Sequence, residues 1–159
     1  MAWSMSATGL DELGSMLGKL ADGAEDVASY SLYEGAAVMA GAFAGAAGSI
    51  RTEPFTHKKA KRLPSPEEKV AVAGKTGIAK FNKNGTEVDT IVGLAKNAGY
   101  VQLGNKTKPV AVIARSINSG TSFMAKQPVF RKAASTAGGA SEQAIINKAE
   151  QMLSEIIGS

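Results

Sequence analysis

The sequence predicts an α+β fold, with a long N-terminal helix and C-terminal helices packed on a small antiparallel sheet. Three observations carry this. Apolar residues recur at helical spacing near both ends of the chain. An Asn-Gly pair sits between β-branched runs in the middle, where a tight hairpin turn needs positive φ angles. The 159 residues match one domain, residues 1–159, and such a chain buries roughly 70% of its unfolded surface without staples.

The elements follow in order. Leu13, Met16, Leu17 and Leu20 fall at i, i+3, i+4 and i+7, a short amphipathic helix. The stretch ADGAED, Ala21 to Asp26, is expected to bend or interrupt it. Leu32, Ala36, Met39, Phe43, Ala47 and Ile50 then keep helical spacing, so one long helix is expected from about Asp22 to Gly48. Gly35, Gly41, Gly45 and Gly48 each cost about 1 kcal/mol there relative to alanine. A helix that carries so many glycines is expected to have a close neighbour. The apolar run from Gly35 to Ile50 is short for a membrane span and consists mostly of Ala and Gly, so no membrane is expected. The N-terminal MAWSMSATGLDELG has neither a basic nor an apolar leader segment and does not read as a signal peptide.

RTEPFTHKKAKRLPSP, with three prolines and a basic run, reads as a mobile loop at about 51–64. A sharp helix start follows: Ser65 as cap, Pro66 in the first helical position and Glu68 closing a capping box, with Gly74 as the stop. GIAKFNKNGTEVDTIVGL reads as a hairpin around Asn84-Gly85, and AGYVQLG, Ala98 to Gly104, as a third strand. KPVAVIARSINSG is ambiguous. Its β-branched residues suit a strand, but Pro109, the spacing of Val110, Ile113 and Ile117, and Gly120 beyond them suit a helix, which is preferred. Pro128 is expected to start a helix to about Thr136, Gly138-Gly139 to break it, and Ser141 to cap a last helix with Ile145, Ala149, Met152, Leu153 and Ile156 on one face.

Chemistry is sparse. There is no cysteine and a single histidine, His57, in a basic loop with no nucleophile or carboxylate cluster beside it. Gly74-Lys75-Thr76 ends like a phosphate loop, but Lys69 stands where the pattern requires glycine, and a helix rather than a strand precedes it. Glu67-Glu68 suits the dipole of a first helical turn better than acid–base work. No catalytic residue, metal or cofactor is expected, and the chain does not read as an enzyme. The net charge of +4 is unevenly spread: residues 1–50 carry one Lys against six acids, residues 51–110 twelve Lys/Arg against five acids, and residues 111–159 five against three. Phe55 is the one aromatic near the HKKAKR run in sequence, too few for a stacking platform.

Residues 97–133 carry a more specific pattern. Lys108-Pro109-Val110, Ile113-Ala114, the Gly120-Thr121-Ser122 turn, Gln127-Pro128 and Phe130-Arg131 stand in the order typical of the tail completion, or head–tail joining, proteins of tailed phages and prophages, and the chain resembles that family. Gly9 to Leu13, the long helix and the hairpin fit as well. The resemblance implies a structural virion protein of the phage neck, with a fold similar to tail terminators. It would form a ring, expected to be hexameric, that joins the tail to the head connector. Partners would be other copies, a head connector or stopper protein, the tail terminator and tail tube proteins, and packaged DNA in the channel. Assembly would take place in the bacterial host cytoplasm.

On this resemblance Phe123 and Met124 are candidate anchors for a neighbouring subunit, with Phe130 underneath and Gln127 and Arg131 beside them; the alternative is that Phe123 and Met124 close the protomer's own core. Lys58, Lys59, Lys61 and Arg62 are candidates for contact with the DNA channel or a neighbouring neck protein. Two further functions stay open: a tail terminator capping the tube, and a small basic nucleic-acid-binding protein, whose affinity would fall steeply with salt.

Overall fold

The computed structural model describes residues 8–53, 61–84, 87–95 and 97–158. Its order is a 41-residue helix α1 (Thr8–Gly48), α2 (Pro66–Ala73), six short strands, α3 (Val110–Ser119) and a 30-residue helix α4 (Val129–Gly158). The fold is α+β, as expected.

The frame is an antiparallel pair of helices, α1 and α4. Phe43 meets Phe130 edge-on with ring centres 5.9 Å apart. Further along, the Ser141 hydroxyl donates to the Gly35 carbonyl at 2.8 Å. Further still, Gly23 faces Ile156. Both expected breaks are absent. A Cβ on Gly23 would come within 2.7 Å of Ile156 Cδ1, so the glycine lets the two helices approach instead of ending one. Gly138 and Gly139 lie inside α4, each costing about 1 kcal/mol. The Phe43–Phe130 contact on one side and the Ser141 and Ile145 contacts on the other hold the helix through them. Ser141 accordingly bridges two helices rather than capping one.

Of Gly35, Gly41, Gly45 and Gly48, the glycines expected to face a close neighbour, Gly35 does, against Ile145 and Ser141. At Gly41, Gly45 and Gly48 an added Cβ would meet nothing within 4 Å. The end of α1 is closed by Lys69, whose ammonium donates to the Gly48 carbonyl at 2.6 Å. α2 starts as expected: Ser65 accepts from the Glu68 N–H, Glu68 accepts from the Ser65 N–H, and Pro66 occupies the first turn. Gly74 forms its C-cap.

The strands make three two-stranded ladders rather than one sheet. β1 (Thr76–Ile78) pairs antiparallel with β4 (Val92–Leu94), and β2 (Asn82–Asn84) with β3 (Glu87–Asp89). Together they form one interrupted hairpin; its turn at Gly85-Thr86 lies outside the described residues. Tyr33 of α1 packs near Phe81 of this ribbon, ring centres 6.2 Å apart. β5 (Tyr100–Leu103) does not join the hairpin. It pairs with β6 (Lys106–Pro109) through a tight turn in which Gly104 takes φ +60°. The strand and helix readings of 108–120 therefore both apply, to successive pieces: Lys108-Pro109 close the ribbon, and α3 begins at Val110.

The core lies where α3 crosses the end of α1 and α2. Ala47, Ile50, Val72, Ala98, Val110, Ile113, Ile117 and Met124 are buried together. Val110, Ile113 and Ile117 give α3 its inward stripe.

Candidate assembly surface around the Gly120–Gln127 turn

α3 ends at Gly120, which takes φ +76°, and a Cβ there would lie 2.9 Å from Lys126 Cβ. Glycine is required on both counts. Thr121 then folds the chain back. Its hydroxyl accepts from the Phe123 and Met124 N–H groups at 3.2 and 3.0 Å, and its own N–H donates to the Met124 carbonyl at 3.0 Å. The exit is clamped by Gln127. Its side-chain oxygen accepts from the Arg51 N–H at 2.9 Å, its amide nitrogen donates to the Arg51 carbonyl at 3.0 Å, and its backbone N–H donates to Ile117 O at 2.7 Å.

The turn is also tied to the end of the basic segment. Arg62 N–H donates to Phe123 O and Ala125 N–H to Arg62 O, both at 2.9 Å, a parallel bridge between Arg62 and Met124. Alternation along extended chains then sorts the side chains. Arg62 and Met124 point inward and are buried; Lys61 and Phe123 lie outward and are exposed, Phe123 by 75%.

Inside, the Arg62 guanidinium grips Glu68 with two bonds of 2.6 Å, and the side chains are 9% and 0% exposed. The same carboxylate accepts from the Ser65 N–H at 2.8 Å. Burial of the Glu68 carboxyl pushes its pKa up, but the Arg62 and Ser65 hydrogen bonds and the charges of Arg62 and Lys108 outweigh it, and the net shift is below the ordinary carboxylate value. Glu53 closes the strap: its side chain accepts from the Leu63 N–H at 2.7 Å, and its N–H donates to Pro64 O at 3.0 Å.

These contacts divide the candidate residues. Phe123 and Arg131 are exposed; Phe130 is half-buried against Phe43. Met124 is a core residue, and Gln127 spends both side-chain groups on Arg51, so neither is free to anchor a neighbour. Of the basic residues, Lys61 is exposed, while Lys58 and Lys59, like His57, lie outside the described residues. Arg62 does not serve as a phosphate contact, because its charge is committed to a buried carboxylate. The expected loop at 51–64 is thus strapped down at its described ends, 51–53 and 61–64.

Two features escaped the sequence reading. Glu68 is a buried ion-pair partner as well as a capping residue; the sequence cue is an opposite charge at 62 and 68, across Pro64. A second aromatic besides Phe55 stands at the described end of the basic segment: Phe123, distant in sequence but bridged to Arg62. Among the described residues no group of three His, Cys, Asp or Glu could hold a metal, and no helix is long and apolar enough to cross a membrane. Compared with protein-family models, curated proteins and solved structures, the chain has no match.

Proposed function

We propose that this chain is a structural component of the phage neck, a subunit of a ring that joins the tail to the head connector without bond-making chemistry. The observation that carries the proposal is Phe123. A turn fixed by Gly120, Thr121, Gln127 and the Arg62 bridge holds this large apolar side chain 75% in solvent, next to Lys61. Holding an aromatic outward on a clamped turn suits an anchor for another protein, since a backbone already fixed has little freedom to lose on binding. The sequence pattern from Lys108 to Arg131 that resembles tail completion proteins runs through the same turn, and the α+β layout agrees with that resemblance.

Gold-labelled antibody against the chain tests the proposal on purified particles. Label at the head–tail junction is the expected result. Label along the tail, or none on particles, would overturn it. A terminator role is the second reading, distinguished by overlong tails when the gene is lost.

A further inference from the structure

On the side of α1 that meets the hairpin, Asp26, Ser29, Tyr30 and Tyr33 fall at i, i+3, i+4 and i+7 and so share one face. With Phe81, from the link between β1 and β2, they line an open cavity of about 390 Å³. That volume lies within the range of small-ligand pockets, roughly 300–1,000 Å³.

The walls are aromatic. Tyr33 and Phe81 meet with ring centres 6.2 Å apart and planes at 50°, a corner rather than a stack. Tyr30 and Tyr33 are 58% and 51% exposed, so both rings stay open to a ligand. The polar groups in the wall are uncommitted. Among the described residues the Asp26 carboxylate makes no ion pair, although Lys80 precedes Phe81 in sequence. The Ser29 hydroxyl oxygen has no hydrogen-bond partner. No basic described residue lines the cavity.

This combination selects the sign of a ligand. Aromatic rings present negative charge on their faces, and the carboxylate adds a full negative charge. An anion would be repelled. A neutral apolar ligand would cover the carboxylate without pairing it, which costs free energy. A quaternary ammonium would suit the rings but bring no N–H to Asp26. A guanidinium suits both, since it is planar, stacks on aromatic faces and donates two parallel hydrogen bonds to a carboxylate.

We infer that this cavity binds an alkylguanidinium, its N–H groups on Asp26 and its plane against Tyr30 or Tyr33. The same head group is carried by small free molecules and by arginine side chains of other proteins. The inference goes beyond the neck proposal and does not rest on it.

The test is a titration of the full-length, ¹⁵N-labelled protein with butylguanidinium, followed by amide shifts at low salt. Saturable shifts around Asp26, Tyr33 and Phe81 are expected. Asp26→Asn should weaken binding about threefold, and Tyr30→Leu about twofold to fivefold, while Glu150→Gln on α4 leaves it unchanged. Butylurea, the uncharged isostere, should not saturate. Absence of saturable shifts with butylguanidinium would overturn the inference. So would equal binding of butylurea, the mark of a merely apolar groove, or equal weakening by Glu150→Gln and Asp26→Asn, the mark of diffuse surface charge. A blocked Gly-Arg-Gly peptide distinguishes the sources: tighter binding than butylguanidinium assigns the head group to a protein side chain, and weaker binding assigns it to a free small molecule.

Discussion

Glu68→Ala is expected to be among the most damaging single changes in the protein. The substitution removes a carboxylate that accepts three hydrogen bonds, two from Arg62 and one from the Ser65 N–H, and leaves a guanidinium that is 9% exposed without the carboxylate that grips it. Breaking a buried pair from one side costs about 3–5 kcal/mol, and loss of half a capping box about 1 more. Native domains have about 5–15 kcal/mol in total, so a third or more of the stability is at stake. With a urea slope of about 1–3 kcal/mol/M, the midpoint should fall by about 2 M. Arg62→Met combined with Glu68→Leu should recover most of the loss, because no charge is then stranded. The pH profile gives an independent reading. The folded carboxyl titrates below its ordinary value of 4.5, so its contribution is complete above that pH and is lost as pH falls through the folded value. Wild type should therefore lose stability on acidification more steeply than Glu68→Gln. A loss under about 1 kcal/mol for Glu68→Ala, or wild-type stability that rises on acidification, would refute a strapped, buried pair.

The remaining predictions concern the turn, the helix pair and the basic segment. Phe123→Asp should leave the unfolding free energy from urea titration within about 0.5 kcal/mol of wild type yet abolish self-assembly, whereas Met124→Ala should cost about 2–4 kcal/mol; equal losses of stability would place both side chains in the core. Gly35→Ala should destabilise by about 1–3 kcal/mol, because its Cβ would meet the Ile145 side chain and come within 2.9 Å of the Ser141 carbonyl, while Gly45→Ala, facing open space, should stabilise by about 1 kcal/mol by thermal melting. Replacing Lys58, Lys59 and Lys61 with Ser, with Arg62 kept to preserve the fold, should lower particle assembly or DNA retention; unchanged phage titre would remove any role for that charge.

What the sequence made legible was local. Ser65, Pro66 and Glu68 specify a helix start within four residues, and the cap is present in full. Val110, Ile113 and Ile117 mark the inward face of α3 because burial follows helical spacing. The Asn84-Gly85 hairpin paired as its β-branched arms suggest. What stayed hidden depended on partners far along the chain. Gly23 and Gly138-Gly139 read as breaks by propensity, but contacts between α1 and α4 override a cost of about 1 kcal/mol each. Phe123 and Met124 are equally apolar neighbours; only the bridge to Arg62 decides which one faces out. Arg62 looked like one more charge in a basic run until Glu68 gave it an interior partner. The turn itself was thus legible in the sequence, but which of its side chains face outward was decided by packing.

Electron microscopy of a lysate from a phage or prophage lacking this gene tests the proposed neck role most directly. A neck subunit's loss should leave filled heads beside separate tails of normal length. Intact infectious particles would contradict it.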